Sequence, residues 1–380
     1  MTGGSERGYE QLDTILEYAA TLADLAYEQT DVAELGSTVG ALAELAMTYP
    51  GDHDIALSFA RGLVSLSYEL TDVAAVADTV ARLETLAGQH AGQPDLALQF
   101  AQGLVNLLSK NGALDLCEGA VARLAELAGR HQDRADIVLR YAMGLVTLSV
   151  RQTDVAAVAA TVDVLARIAE EFAGDAGIAL RYAGGLANLS YEQTDPDAVA
   201  KTVAALERLA QTHDNDAAIA LRYAKGLVNL SYEQRDLTQA ADTLDILARL
   251  ADKYEDDLGI AEMYARGLVN LAGRQTDPAS AQATVAKLAS LAERYGGHPG
   301  IALMHAKGLF NLSYEQDPAA ALVTVWSIGA LAASFEYEPE IVAEYAKGLF
   351  SVSHALPVSP MWRVGLSLWW AVSGCRVLTG

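Results

Sequence analysis

The stretch YAKGLVNLSYEQ, at Tyr223–Gln234, decides the fold because the chain repeats it. Its glycine, Gly226, recurs at Gly62, Gly103, Gly144, Gly185, Gly267, Gly308 and Gly348; six spacings are 41 residues and the last is 40. An earlier copy, YAATLADLAYEQ at Tyr18–Gln29, carries Thr21 in the glycine's place. Self-similarity at a fixed period of this length marks units that cannot bury their apolar faces alone and therefore stack on their neighbours. The 380 residues thus read as one array of about nine units, not as two or three globular domains.

With the glycine numbered 0, position −7 is Ile or Leu in all eight glycine-bearing units, −2 is always Ala and +1 is always Leu. Position −3 is aromatic in seven of the eight, His305 being the exception. At about 100° per residue these positions share one broad face, so the motif predicts a helix, A, buried on most of its circumference. Positions −4, −1, +3 and +7 form the one polar stripe. A second helix, B, follows. Asp72, Asp154, Asp195, Asp236 and Asp277 are its N-cap candidates, and Pro196, Pro278 and Pro318 stand where the first helical turn tolerates proline. A glycine inside a helix costs about 1 kcal/mol against alanine. Eight of them imply a compensating close approach of backbones, at a place where no Cβ fits.

Composition narrows the function classes. The net charge of −23 opposes nucleic-acid binding, which needs a basic surface. Two cysteines, Cys117 and Cys375, support neither a disulfide framework nor a cysteine zinc site. Of the 26 basic residues only seven are Lys; few lysines and many carboxylates suit the cytoplasm of a salt-loving cell, where charge repulsion is screened. No apolar leader follows Met1–Glu10, and the expected location is cytoplasmic. The histidines are spread along the array and no nucleotide, hydrolase or metal motif stands anywhere, so the expectation is a non-enzyme without cofactor or metal.

The period near 41 and the late-helix pattern A-x-x-L-x-N-L resemble the armadillo/HEAT class of α-solenoids, over about Gln11 to Ala355. The segment Thr202–Ser231 is similar to the last two helices of an armadillo unit. Helix B lacks the break that splits the first segment of that unit, so a two-helix HEAT- or tetratricopeptide-like unit fits equally. The resemblance implies an all-α fold, a right-handed superhelical solenoid of two-helix repeats. It also implies that the +3 asparagines, Asn106, Asn188, Asn229, Asn270 and Asn311, form a ladder on the concave face that holds an extended peptide. An amide offers both donors and an acceptor to a peptide unit. It could equally bond the adjacent helix A and tie the stack together. The family's companion tryptophan is missing: position −1 carries Arg61, Lys225, Arg266, Lys307 and Lys347, and position −4 carries Arg140, Arg181 and Arg222. These cations suit an acidic ligand, or else they pair with the +7 carboxylates Glu69, Glu192, Glu233 and Glu315 in a ladder between units. The +6 tyrosines, Tyr191, Tyr232 and Tyr314 among them, border the stripe either as contact residues or as helix-end packing.

The ends differ from the array. Residues 1–10 read as a flexible tail. Residues 356–380 hold three of the four Trp and read as a cap or anchor; the 12 uncharged residues between Arg363 and Arg376 fall short of the roughly 20 that span a bilayer. The expected function is a non-catalytic scaffold that binds a protein or peptide along helix A, with no nucleic-acid partner and no membrane contact outside the C-terminal segment. The alternatives are a self-assembling structural scaffold and a regulatory subunit or enzyme with a site in the curve.

Overall fold

The computed structural model describes residues 3–355 apart from 111 and 337; the side chains of 3–11 and 355 are outside it, as are residues 356–380. The C-terminal cap or anchor therefore lies outside the described residues. Within them the protein is helical throughout. The A helices are α1 (Gly3–Glu28), α3 (His53–Glu69), α5 (Pro94–Ser109), α7 (Ala135–Arg151), α9 (Ala176–Glu192), α11 (Ala217–Glu233), α13 (Leu258–Ala272), α15 (Pro299–Tyr314) and α17 (Pro339–Ala355). The B helices are α2 (Val32–Thr48), α4 (Val73–Gln89), α6 (Leu114–Arg130), α8 (Val155–Glu171), α10 (Pro196–Thr212), α12 (Leu237–Lys253), α14 (Pro278–Arg294) and α16 (Pro318–Ser334). Helix α1 begins at Gly3, inside the segment expected as a tail.

The chain forms two compact units, Met1–Glu192 and Gln193–Gly380. The packing rule is the same in each. Within a unit, an A helix lies against the B helix that follows it and against the next A helix, and a B helix also lies against the next A helix. In the first unit Leu35, Leu42, Ile55, Leu63, Leu83 and Leu104 are fully buried along this seam; in the second Leu206, Ile219, Leu247, Ile260 and Leu288 are. Most of the buried side chains are Ala, Leu, Val and Ile, which accounts for an aromatic content of only 7 %.

The glycine's role differs from the expected backbone approach. A Cβ on Gly226 would stand 2.6 Å from Leu206 Cδ1 and 3.2 Å from Val203 Cγ2, both side-chain atoms of the preceding B helix. Gly62 meets Leu42, Gly103 meets Leu83, Gly144 meets Leu124 and Gly185 meets Leu165 in the same way. The glycine is a seat for a leucine, not a crossing point of two backbones. Thr21 fits this account, because no B helix precedes α1 in the described residues to fill such a seat.

Helix B starts largely as expected. Asp72, Asp154, Asp236 and Asp277 accept from the first backbone N–H groups, and Asp31 and Asp317 do the same. Asp195 holds the cap position but its side chain makes no cap bond. A second fastening was not anticipated. The Gln at +8, which ends the repeated phrase, accepts from a buried threonine one turn and a half into helix B. The pairs are Thr38–Gln29 at 2.8 Å, Thr161–Gln152 at 2.9 Å, Thr202–Gln193 at 2.9 Å, Thr243–Gln234 at 3.0 Å, Thr284–Gln275 at 2.9 Å and Thr324–Gln316 at 2.6 Å. Where Leu70 replaces that Gln, Thr79 turns to its own helix and donates to the Ala75 carbonyl. The bond fixes the A-to-B turn. Thr243→Val keeps the shape and removes the donor, which should cost about 1 kcal/mol. Amide hydrogen exchange in the first turns of α12 should speed up accordingly, and unchanged exchange would show that the bond contributes nothing.

Candidate functional site

The polar stripe of helix A brings together the residues singled out from the sequence, but it uses them differently in the two units. Three asparagines are spent between helices. Asn106, only 5 % exposed, donates to the Val64 carbonyl at 3.2 Å and to Ser67 Oγ at 2.8 Å. Asn188 donates to Ser149 Oγ at 2.9 Å, and Asn311 to the Val269 carbonyl at 3.2 Å. In each case the acceptor lies on the preceding A helix, at +2 or +5. Asn229 is not free either. Asn270 is half-buried, and no hydrogen bond joins it to a described residue.

In the first unit the cations are also engaged. Arg140 donates from Nε to Gln102 Oε1 at 2.6 Å, and Gln102 passes the connection on by donating to Asn106 Oδ1 at 3.0 Å. A hydrogen-bonded relay thus runs from α7 through α5 to α3. Arg61 pairs with Asp24 at 3.3 Å, and Arg181 is not free. In the second unit Lys347 pairs with the buried Glu344 at 2.8 Å. The expected ladder with Glu69, Glu192, Glu233 and Glu315 is absent: neither stripe pair among the described residues uses a +7 carboxylate. Those acids end their own helices, while the −1 cations sit two turns earlier on the same stripe.

Four stripe cations of the second unit are left over. Arg222 and Lys225 on α11, Arg266 on α13 and Lys307 on α15 have no carboxylate partner among the described residues. Arg222 and Lys225 are half-buried, and the Nε of Arg222 is buried with no hydrogen-bond partner. Burial, and then the like charges of Arg222 and Arg266, hold the Lys225 ammonium below its usual pKa. Like charges gathered in a strongly acidic protein mark an arrangement that the fold itself does not need.

The +6 tyrosines do not pack at helix ends. Tyr191 is 74 % exposed, and Tyr232 and Tyr314 are each 60 % exposed. Seven residues separate +6 from −1, two turns of helix, so both rows lie on one face about 10 Å apart. Tyr314 is braced edge-to-face by Phe310, with ring centroids 5.0 Å apart.

Where a cation replaces the +7 carboxylate, it serves packing. Arg274 reaches back to the carbonyls of Ser231, Tyr232 and Gln234 at the end of the previous A helix. Arg151 does the same to Gly112, Leu108 and Lys110, and Lys110 Nζ reaches the Tyr68 carbonyl at 2.7 Å. Cations at helix C-termini satisfy orphan carbonyls and complement the dipole. The sequence signal was a change of charge sign at one repeat position. Among the described residues no group of three His, Cys, Asp or Glu is placed to hold a metal ion, and no helix is long and apolar enough to cross a membrane.

These features define an all-helical repeat protein of the α-solenoid class, built from stacked A–B helix pairs. No family model matches the chain, and neither does any curated protein. Among solved structures it is similar to a chain described as "Computational Design of Self-Assembling Cyclic Protein Homooligomers". The identity is 15 %, with 92 % of this chain and 99 % of that chain covered and a TM-score of 0.12. A likeness at that score carries no argument about fold, assembly or function.

Proposed function

We propose that this chain is a non-catalytic scaffold that binds a segment of another protein across the exposed stripe of its A helices. The observation that carries the reading is the set of unpaired cations on α11, α13 and α15, with the exposed Tyr232 and Tyr314 on the same face. Tyrosine and arginine are the residues enriched where protein surfaces make contact. Asn106, Asn188 and Asn311 are left out of this surface, since they hold neighbouring helices together. The test therefore uses exposed residues whose loss leaves the stack intact. Wild type and the triple variant Tyr232→Ser, Arg266→Ser, Tyr314→Ser are used for affinity capture from extracts of the native cell. The variant should lose captured proteins at unchanged helicity and unchanged melting. Identical captured sets would overturn the reading in favour of a purely structural array.

A further inference from the structure

In the second unit, position −1 is cationic on every A helix in succession: Lys225 on α11, Arg266 on α13, Lys307 on α15 and Lys347 on α17. The first unit has no such row, because the same place holds Arg61, Gln102, Met143 and Gly184 on α3, α5, α7 and α9. The four cations share one register, and α11, α13, α15 and α17 pack in sequence against one another. Packed helix axes are about 8–10 Å apart, so the row offers one positive charge at about that interval.

That interval selects a ligand conformation. A β-strand repeats side chains on one face every second residue, about 6.6 Å, and slips out of register with the row after one step. A polyproline II helix has three residues per turn and a rise of about 3.1 Å, so every third residue returns to the same face after about 9.3 Å. We propose that the second unit binds an acidic protein segment in polyproline II form, with Asp or Glu at every third residue seated one per repeat on Lys225, Arg266, Lys307 and Lys347. This rests on the binding function proposed above and specifies its ligand. Lys347 already holds Glu344 at 2.8 Å, so its ligand carboxylate shares the ammonium, whose three donors allow two acceptors. Arg222 lies one turn before Lys225 on the same stripe and gives the first seat two cations. Burial first, and then the neighbouring Arg222 and Arg266, lower the pKa of Lys225, and an incoming carboxylate counters that shift. Proline between the acids keeps such a segment extended before it binds, which limits the ordering entropy.

The test is calorimetric titration of the full chain with two synthetic peptides of identical composition. One has four Glu-Pro-Pro triplets; the other has four Glu-Pro pairs followed by four prolines. The first should bind at least about tenfold more tightly, and its affinity should fall steeply as salt rises. The double reversal Arg266→Glu, Lys307→Glu should abolish that binding, while Lys287→Glu on the B side should leave it unchanged. Equal affinity for the two peptides would overturn the register, and binding that survives the double reversal would overturn the site. If neither peptide binds while the capture experiment still depends on Tyr232, Arg266 and Tyr314, the acidic ligand is wrong and the binding function stands. If capture is also indifferent to those residues, both fail.

Discussion

Gly226→Leu is expected to destabilise the second unit by about 3 kcal/mol, at the upper end of ordinary overpacking penalties. The seat it fills is already closed: the first carbon of any side chain there would stand 2.6 Å from Leu206 Cδ1 and 3.2 Å from Val203 Cγ2. A leucine adds three further carbons to that collision, in a layer where Leu206 and Val203 are themselves buried. The gain in helix propensity on leaving glycine, about 1 kcal/mol at most, does not offset it. Gly226→Ala should behave differently. Its one added carbon meets the flexible end of a leucine, so a small shift of Leu206 and the propensity gain nearly cancel. The two positions should also be coupled. Leu206→Ala alone leaves a cavity and should cost about 2–5 kcal/mol, yet combined with Gly226→Leu it should cost clearly less than the sum of the two. Repeat arrays lose two-state behaviour easily, so the suitable measurement is amide hydrogen exchange resolved to α10 and α11. Additive effects in that cycle would show that the glycine is not a seat for Leu206.

How far the sequence could be read depended on whether the cause of a residue repeated with it. The A helix, its buried face and most Asp N-caps were legible, because burial and capping act on every unit alike and imprint an unbroken period. The existence of a reason for the glycine was legible too, but the identity of its neighbour was not: the contact joins Gly226 to Leu206, twenty residues back on a different helix, and a pattern cannot say which atom fills a vacant Cβ position. The Thr–Gln fastening was written in the sequence as a Gln at +8 followed eight or nine residues later by Thr, and it is hard to read there because each residue alone is ordinary in its place. The stripe was the least legible part. Arg140 and Lys307 look alike as cations on one helical face, yet Arg140 is committed to Gln102 while Lys307 has no described carboxylate to meet. That difference comes from single non-repeating neighbours, and periodicity averages over them.

The asparagines supply the sharpest contrast of this kind, because two chemically identical changes should have different consequences. Asn106→Ala removes a side chain that is 5 % exposed and stands at the centre of a relay. Its amide donates to Val64 and Ser67, its oxygen accepts from Gln102, and Gln102 is held at its other end by Arg140. With the amide gone, the part-buried Gln102 Nε2 group loses its acceptor and Ser67 Oγ loses a donor, while the Val64 carbonyl keeps Ser67 Oγ at 2.7 Å. Leaving such groups unsatisfied costs about 1–3 kcal/mol, so a loss of about 2 kcal/mol is expected, read as faster exchange in α3 and α5. Asn270→Ala should stay within about 0.5 kcal/mol, since no hydrogen bond joins Asn270 to a described residue. Arg274, one turn on, already takes the Ser231 carbonyl of the preceding A helix at 2.8 Å. Gln102→Leu separates the relay from simple burial: it should cost nearly as much as Asn106→Ala, and the double variant little more than either alone. Equal effects of Asn106→Ala and Asn270→Ala would mean that the ladder acts through something other than these bonds. A loss at Asn106 with none at Asn270 would place its structural role in the relay alone.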